Sequence, residues 1–224
     1  PNLDEVLENV NAQMNNIMES LKDTNAIVVD VRFNGGGIEE VSLAIAGYFT
    51  DIKQLAFTKE NFNVGNATGL KERFIEPNST ITYAKPVVLL TSSTTASAAE
   101  IFTLSMRALP QVTHMGELSQ GIFSDSLNFN LTVGFSTSFP YQTYYSTNNV
   151  AYETLGIPPH IYAPTITMPD ASMGAAPAIH KSLTHLGVDL SISQESFSSQ
   201  VEQLMEASGI PAFSVAWVDD DKVL

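Results

Sequence analysis

Three short stretches of the chain carry residue types that could act together in nucleophilic catalysis. Gly35-Gly36-Gly37 follow an apolar run, Ser97 stands at the start of a predicted helix, and Glu153 lies in a polar segment. A serine becomes a nucleophile when a base accepts its proton, and the backbone N–H groups of a glycine turn can stabilise a developing oxyanion. Each stretch also has a plain structural explanation as a tight turn, a helix N-cap or a solvated carboxylate. Whether they form a site therefore depends on the elements that position them.

The first half of the sequence predicts alternating strands and helices. Apolar side chains recur every three or four positions after Asn2, a plausible N-cap, which is typical of an amphipathic helix. The glycine turn joins a strand to a helix and so completes a βα unit. The continuous apolar strands are typical of a parallel sheet covered on both faces, which predicts an α/β fold. The predicted elements are helices at 3–21, 38–48 and 96–109 and strands at 26–31, 85–90 and 112–115.

The second half predicts an antiparallel section. Residues 127–133 alternate between apolar and polar side chains and precede Gly134, which predicts a half-buried strand and a turn. The aromatic run over 135–145 favours a hairpin that packs its rings on the sheet over a peptide-binding groove. The polar residues 58–80 predict a loop or a peripheral hairpin, and residues 175–186 predict a closing helix.

Composition excludes several classes of function. With 10 Lys+Arg and 24 Asp+Glu the net charge is −14, which argues against binding to nucleic acid or to an anionic membrane surface. The absence of cysteine rules out disulfides, thiolate zinc sites and cysteine nucleophiles. No apolar run is long enough to span a bilayer. We expect neither a metal nor a cofactor.

Four motifs, taken in their order, identify a family resemblance. They are Asp30-Val-Arg32-Phe-Asn34-Gly-Gly36-Gly37, Thr95-Ala-Ser97-Ala-Ala-Glu100, Gly116-Glu117 and Tyr152-Glu153-x-x-Gly156-Ile157-x-Pro159. Together they resemble the S41 serine peptidases, which include the C-terminal processing (tail-specific) enzymes and the core of the tricorn protease. The resemblance covers roughly residues 5–187. It implies a ClpP/crotonase-like core with a mixed, largely parallel sheet flanked by helices and a late antiparallel section.

The resemblance also implies roles for individual residues in the hydrolysis of a peptide or protein substrate. The family's Ser-Ala-x-Glu motif makes Ser97 the nucleophile that forms an acyl-enzyme. The helix dipole and the N–H of Ala98 would stabilise the oxyanion, and Gly36 or Gly37 would supply a second donor.

The general base is missing from the pattern. The lysine-type enzymes place their base after the Gly-Glu-x-x-x-Gly segment, and no lysine lies between Lys85 and Lys181. The tricorn-like branch instead uses a histidine supported by the glutamate that Glu153 matches, and that histidine lies upstream of the core. The resemblance therefore implies a base from a segment that precedes this chain, which begins at Pro1 and is expected to be cut from a longer polypeptide.

The four histidines present are poor substitutes for that base. His114 is predicted in a strand and packed in the core, and His160 follows a proline in a loop. His180 and His185 fall on the closing helix.

One other function remains open, and a second is disfavoured by the charge of the chain. A non-enzymatic binding module is the alternative, because the interphotoreceptor retinoid-binding proteins resemble this family and hold apolar ligands. An acyl-CoA enzyme of the wider crotonase class would need a basic phosphate site, which this acidic chain lacks.

The domain organisation is predicted to change near residue 189. Residues 1–188 form the peptidase-like core, and residues 189–224 form a linker with the first helix and strand of a following domain. That segment resembles the opening of a class C β-lactamase-like domain, but it ends before any Ser-x-x-Lys motif. The lysine-type relatives favour a periplasmic or secreted location over a cytoplasmic one. The sequence indicates no oligomeric state.

Overall fold

The structure, a computed structural model, describes residues 2–63, 66–165, 177–188, 218–219 and 222–223. Its contacts divide the chain into two units, Pro1–Leu186 and Gly187–Leu224. The helices are α1 (Leu3–Leu21), α2 (Glu39–Ala46), α3 (Ala98–Arg107) and α4 (Pro177–His185). The strands of the first unit are β1 (Ile27–Asp30), β2 (Gln54–Asn63), β3 (Asn66–Ala67), β4 (Lys71–Ile75), β5 (Val87–Thr91), β6 (Val112–Gly116), β7 (Ser126–Thr132), β8 (Phe135–Pro140), β9 (Gln142–Ser146) and β10 (Ile161–Tyr162).

A four-stranded parallel sheet forms the centre of the first unit, in the order β1-β5-β6-β10. The register pairs Asp30 with Leu90 and Leu90 with Met115, so the carboxyl ends of three strands lie side by side. Helices α2 and α3 follow β1 and β5, as the predicted βα units require. The predicted α/β class is thus confirmed.

Two apolar cores cover the two faces of this sheet. Successive side chains of a strand point to opposite faces, so Val87 and Leu89 pack into one core while Val88 and Leu90 pack into the other. The first core contains Met18 of α1 and Phe102 of α3. The second core is closed by α4.

Helix α1 begins as the sequence predicts. The side chain of Asn2 accepts a hydrogen bond from the N–H of Glu5, and the Glu5 carboxylate accepts one from the N–H of Asn2. This capping box satisfies two N–H groups that the first turn otherwise leaves unpaired.

A second, antiparallel sheet replaces most of the loop predicted over 58–80. Strand β2 pairs with β3, β4 and β9. The expectation of a peripheral hairpin was correct for the pairing of β2 with β4, but the pairing of β2 with β9 was missed. That pairing joins residues about 85 positions apart, and local polarity carries no signal of it.

The hairpin of β7 and β8 is more exposed than predicted. The alternating strand was expected to be half-buried, yet Leu127, Phe129 and Leu131 are all exposed. The ring of Phe129 packs against Phe139 across the hairpin and not on the central sheet. Alternation identified the strand correctly but could not show that its apolar side chains remain exposed.

In the second unit, β11 (Val218–Asp219) and β12 (Lys222–Val223) pair antiparallel. The helix and strand predicted over 197–205 and 212–218 fall outside the described residues, apart from Val218. None of the described helices combines the length and apolar character that a bilayer span requires.

Candidate active site

The parallel pairing of β1 with β5 brings the glycine turn next to the serine. Four hydrogen bonds join the loops that follow these strands, and two of the four donors, the hydroxyls of Ser92 and Thr94, share the Arg32 carbonyl. The N–H of Ala96 donates to the Asn34 carbonyl at 3.1 Å, and the Thr95 hydroxyl donates to the Val31 carbonyl at 2.8 Å. The two motifs, more than 50 residues apart in sequence, thus meet at one edge of the sheet.

Ser97 has a backbone conformation that is rare for residues other than glycine. Its φ is 54° and its ψ is −125°, and α3 begins at the next residue. Its N–H donates to the Ile122 carbonyl at 2.8 Å and to Glu100 Oε2 at 3.1 Å. Such strain persists only where surrounding contacts hold it, and it is typical of nucleophiles on sharp strand-to-helix turns.

The glycine turn touches the serine directly. A Cβ placed on Gly36 would lie 2.6 Å from Ser97 Cβ and 3.0 Å from the Ala98 nitrogen, and the φ of Gly36 is 112°. The N–H of Gly36 donates to Asn34 Oδ1 at 2.9 Å. Within the described part of the chain, the N–H groups of Gly37 and Ala98 make no hydrogen bond. Of the two glycines predicted as oxyanion donors, Gly37 therefore has the available N–H.

Glu100 is fully buried and connects the serine to a neighbouring loop. Besides the N–H of Ser97, its carboxylate accepts hydrogen bonds from the Ser119 hydroxyl at 2.6 Å, the Gly121 N–H at 2.7 Å and the Ile122 N–H at 2.9 Å. Four donors compensate for the cost of burying the charge. Glu100 thus supports the position of Ser97.

Glu153 lies on the other side of the same loop. Its Oε2 accepts hydrogen bonds from the N–H groups of Phe123 and Ser124 at 3.1 and 3.2 Å. The carbonyl of Ile122, which precedes Phe123, accepts the Ser97 N–H, so one short segment contacts both the Ser97 backbone and the Glu153 carboxylate. Partial burial raises the pKa of the Glu153 carboxyl, and the charge of Glu100 raises it further, against the two N–H donors, which lower it.

His114 is committed to a buried hydrogen-bond chain. Arg107 can only donate, so its contact of 2.7 Å with His114 Nδ1 makes that nitrogen an acceptor and leaves the proton on Nε2. Nε2 then donates to the Thr91 hydroxyl at 2.7 Å, and that hydroxyl donates to the Glu117 carbonyl. Burial lowers the pKa of His114 to about 3, with help from the charge of Arg107 and from His160. The predicted core position of His114 matches this environment.

The other histidines also lie in structural surroundings. The Nδ1 of His160 accepts the His114 N–H at 3.4 Å, and partial burial together with the charge of Arg107 lowers the pKa of His160. On α4, His180 is exposed and His185 contacts the Thr113 hydroxyl at 3.4 Å. None of the four has a hydrogen bond to Ser97 in the described part of the structure.

Two cavities of different character meet at the glycine turn and the start of α3. One has a volume of about 190 Å³ and is mostly apolar, with Val41, Ile45 and Phe102 in its wall. The other has a volume of about 270 Å³, includes Ser97 in its wall and is mostly polar. Gly37 and Ala98 line both, so both available N–H groups lie where the cavities adjoin.

The sequence analysis did not identify three residues of the polar cavity as site residues. Glu39, Lys59 and Tyr144 line it together with Ser97. The pairing of β2 with β9 places Lys59 and Tyr144 beside the cavity. The sequence pattern did not predict this pairing. Among the described residues no group of three or more His, Cys, Asp or Glu could hold a metal ion.

The fold matches solved structures of several proteins. A protein from Parabacteroides merdae assigned as a peptidase has 26% identity and a TM-score of 0.71, over 77% of this chain and 55% of that one. A lipoprotein from Streptococcus agalactiae has 18% identity and a TM-score of 0.61, over 84% and 62%. The photosystem II D1 C-terminal processing protease has 20% identity and a TM-score of 0.54, over 68% and 38%.

These likenesses cover only part of each solved protein. The chain spans between 38% and 62% of the length of these three structures. The family model for peptidase family S41 matches residues 2–163, which is well over half of the chain. The glycine turn, Ser97 and Glu153 all lie within that match. The chain therefore belongs to peptidase family S41.

Proposed function

We propose that the protein is a serine peptidase in which Ser97 forms the acyl-enzyme. The Ser97 hydroxyl oxygen attacks the peptide carbonyl carbon while a base takes its proton. The C–N bond then breaks, and the amine leaves with that proton. Water, activated by the same base, hydrolyses the ester and regenerates the serine.

The arrangement around Ser97 carries this proposal. A serine in a strained conformation stands at the positive end of a helix dipole, beside the N–H groups of Gly37 and Ala98, which have no partner among the residues that the structure describes. Such donors stabilise the negative charge that develops on the carbonyl oxygen, and the loss of one costs about 3 kcal/mol of barrier in comparable enzymes. We assign the second oxyanion donor to Gly37, because Asn34 already engages Gly36.

We infer that the base is a histidine from outside this chain, oriented by Glu153. His114, His160 and His185 make hydrogen bonds to groups other than Ser97. His180 is exposed on α4. Lys59 lines the serine's cavity, but its ammonium is already held by the Glu39 carboxylate at 2.5 Å. The raised pKa of Glu153 implies that the support it gives such a histidine weakens as the pH falls.

The cavities suggest how a peptide is bound. The apolar cavity reaches the two oxyanion donors, where the side chain on the acyl side of the scissile bond would lie. We therefore infer peptide or protein substrates with an apolar residue at that position. A periplasmic or secreted location is consistent with the lipoprotein among the similar structures.

A fluorophosphonate probe tests the proposal, because it labels only an activated serine. We expect the parent polypeptide to be labelled and its Ser97→Ala variant to remain unlabelled but folded. Residues 1–224 alone should be labelled much more slowly than the parent, since they lack the base.

Other results would change the assignment. Labelling of the short chain at the parent's rate would place the base within residues 1–224 and direct attention to His114 and His160. Equal hydrolysis by the Ser97→Ala parent would refute the nucleophile. If neither form reacts with the probe, the protein is a binding module on a peptidase fold.

A further inference from the structure

The turn that carries the Gly37 N–H consists of three glycines, so the side chains of neighbouring residues must hold it. Upstream, the Asn34 amide oxygen fixes the Gly36 N–H. Downstream, α2 begins after Ile38, whose side chain makes no capping hydrogen bond. A glycine turn without a cap is free to sample several conformations. The contact that fixes its downstream end must therefore come from a later residue.

Glu39, the first residue of α2, provides that contact. Its side chain is only 9% exposed. Lys59 Nζ lies 2.5 Å from Oε2, Arg73 Nε lies 2.7 Å from Oε1, and the Tyr144 hydroxyl donates to Oε2 at 3.0 Å. Two cations and one hydroxyl thus surround a single carboxylate.

The three partners come from three strands of one sheet. Lys59 is on β2, Arg73 on β4 and Tyr144 on β9, and β2 pairs with both neighbours. The ladder pairs Lys59 directly with Tyr144, so both reach Oε2 from a rigid frame. The Lys59 ammonium also lies 5.4 Å from the centre of the Tyr144 ring, which is within the range of a cation–π contact.

We propose that Glu39 is a positioning residue that fixes the direction of the Gly37 N–H toward the reacting carbonyl. Glu39 follows Gly37 by two residues and lines the same cavity as Ser97. The antiparallel sheet thereby sets the geometry of the oxyanion site through this carboxylate. The inference rests on the proposed peptidase function.

The geometry excludes Glu39 as the base. Both of its oxygens are already in contact with a cation, Oε2 with Lys59 and Oε1 with Arg73, so neither oxygen is free to contact the serine hydroxyl. Its effect on catalysis must therefore be exerted through the glycine turn.

Glu39→Gln in the parent polypeptide is the test. An amide keeps the shape of the side chain but cannot bind two cations, so the turn should loosen. We expect kcat to fall at least about tenfold with KM unchanged within about twofold, because the oxyanion exists only in the transition state. A peptide aldehyde inhibitor, whose adduct places an oxyanion at this site, should bind more weakly by the same factor.

Matched variants separate positioning from loss of stability. Glu76→Gln removes a surface ion pair of 2.5 Å with Lys53, both partners being more than half exposed, and should change neither kcat nor inhibitor affinity. Tyr144→Phe keeps both ion pairs of Glu39 but removes the hydroxyl, which contacts Glu39 and also Gln142, and should lower kcat two- to fivefold. Thermal unfolding of each variant identifies any that fail to fold.

The outcomes distinguish the two proposals. If the wild-type parent is active but both Glu39→Gln and Tyr144→Phe keep its kcat and inhibitor affinity, the positioning role is wrong. A rise in KM with constant kcat would also overturn it, since it would make Glu39 a residue of ground-state binding. If the wild-type parent neither hydrolyses peptides nor reacts with the probe, the peptidase function itself fails.

Discussion

At the scale of single residues, the site depends on a strained serine and the glycine beside it. The surroundings must impose a φ of 54° at Ser97, because this conformation costs on the order of 1–3 kcal/mol. The N–H bonds to Ile122 and Glu100 impose it from one side. On the other side the backbone of Gly36 packs directly against the serine, with no room for a Cβ between them.

Gly36→Ala in the parent should therefore remove most of the activity. The new methyl group would lie 2.6 Å from Ser97 Cβ, at a φ of 112° that alanine rarely adopts. Either the serine or the turn must shift, so we expect kcat/KM to fall by about 10² or more, the size of the loss when an oxyanion donor is removed. The measurement is steady-state hydrolysis together with the rate of probe labelling.

Gly35→Ala is the matched control for this prediction. A Cβ at Gly35 would meet nothing within 4 Å, and its φ is not in the left-handed region. This variant should keep its activity. Labelling of Gly36→Ala at the wild-type rate would show that the turn does not contact the reacting serine as the structure indicates.

At the scale of elements, His114 ties β6 to α3 and makes stability depend on pH. The folded protein holds the imidazole neutral, with a pKa of about 3 against 6.5 for the unfolded chain. The unfolded state therefore binds a proton that the folded state excludes between these values. The contribution of His114 is fully present above pH 6.5 and is lost as the pH falls toward 3.

We expect the free energy of unfolding to lose about 2–3 kcal/mol between pH 6.5 and 4.5 through this histidine. His114→Gln can accept from Arg107 and donate to Thr91 without titrating, so its stability should decline less over this range. Urea unfolding at the two pH values measures the difference between the two proteins.

The exposed His180 on α4 offers the control. His180→Gln should follow the wild-type pH dependence. Equal losses for His114→Gln and the wild type would mean that His114 does not remain neutral in the folded protein.

At the scale of the whole molecule, sequence patterns predicted the elements that depend on residues close together in the chain. The βα units around Gly36 and Ser97 are local, because each strand, turn and helix follow one another. Parallel strands place their carboxyl ends together. The catalytic roles proposed for Ser97 and Glu153 came from the order of the motifs and from the family resemblance, and they stay predictions. The cluster of Glu39, Lys59 and Tyr144 could not be predicted, because pairing across more than 80 residues assembles it.

The boundary proposed near residue 189 gives the last prediction. Helix α4 closes the second core through Ala178, which packs with Val88 and Leu90 of the central sheet, so any shorter core would expose that face. Contacts divide the chain close to this point, at Gly187. A protein of residues 1–188 should therefore unfold in one transition with the same midpoint as residues 1–224, whereas one of residues 1–176 should lose several degrees because an apolar face becomes exposed. Thermal unfolding followed by circular dichroism compares the three. A lower midpoint for residues 1–188 would mean that residues 189–224 contribute to the stability of the peptidase core and do not begin a separate domain.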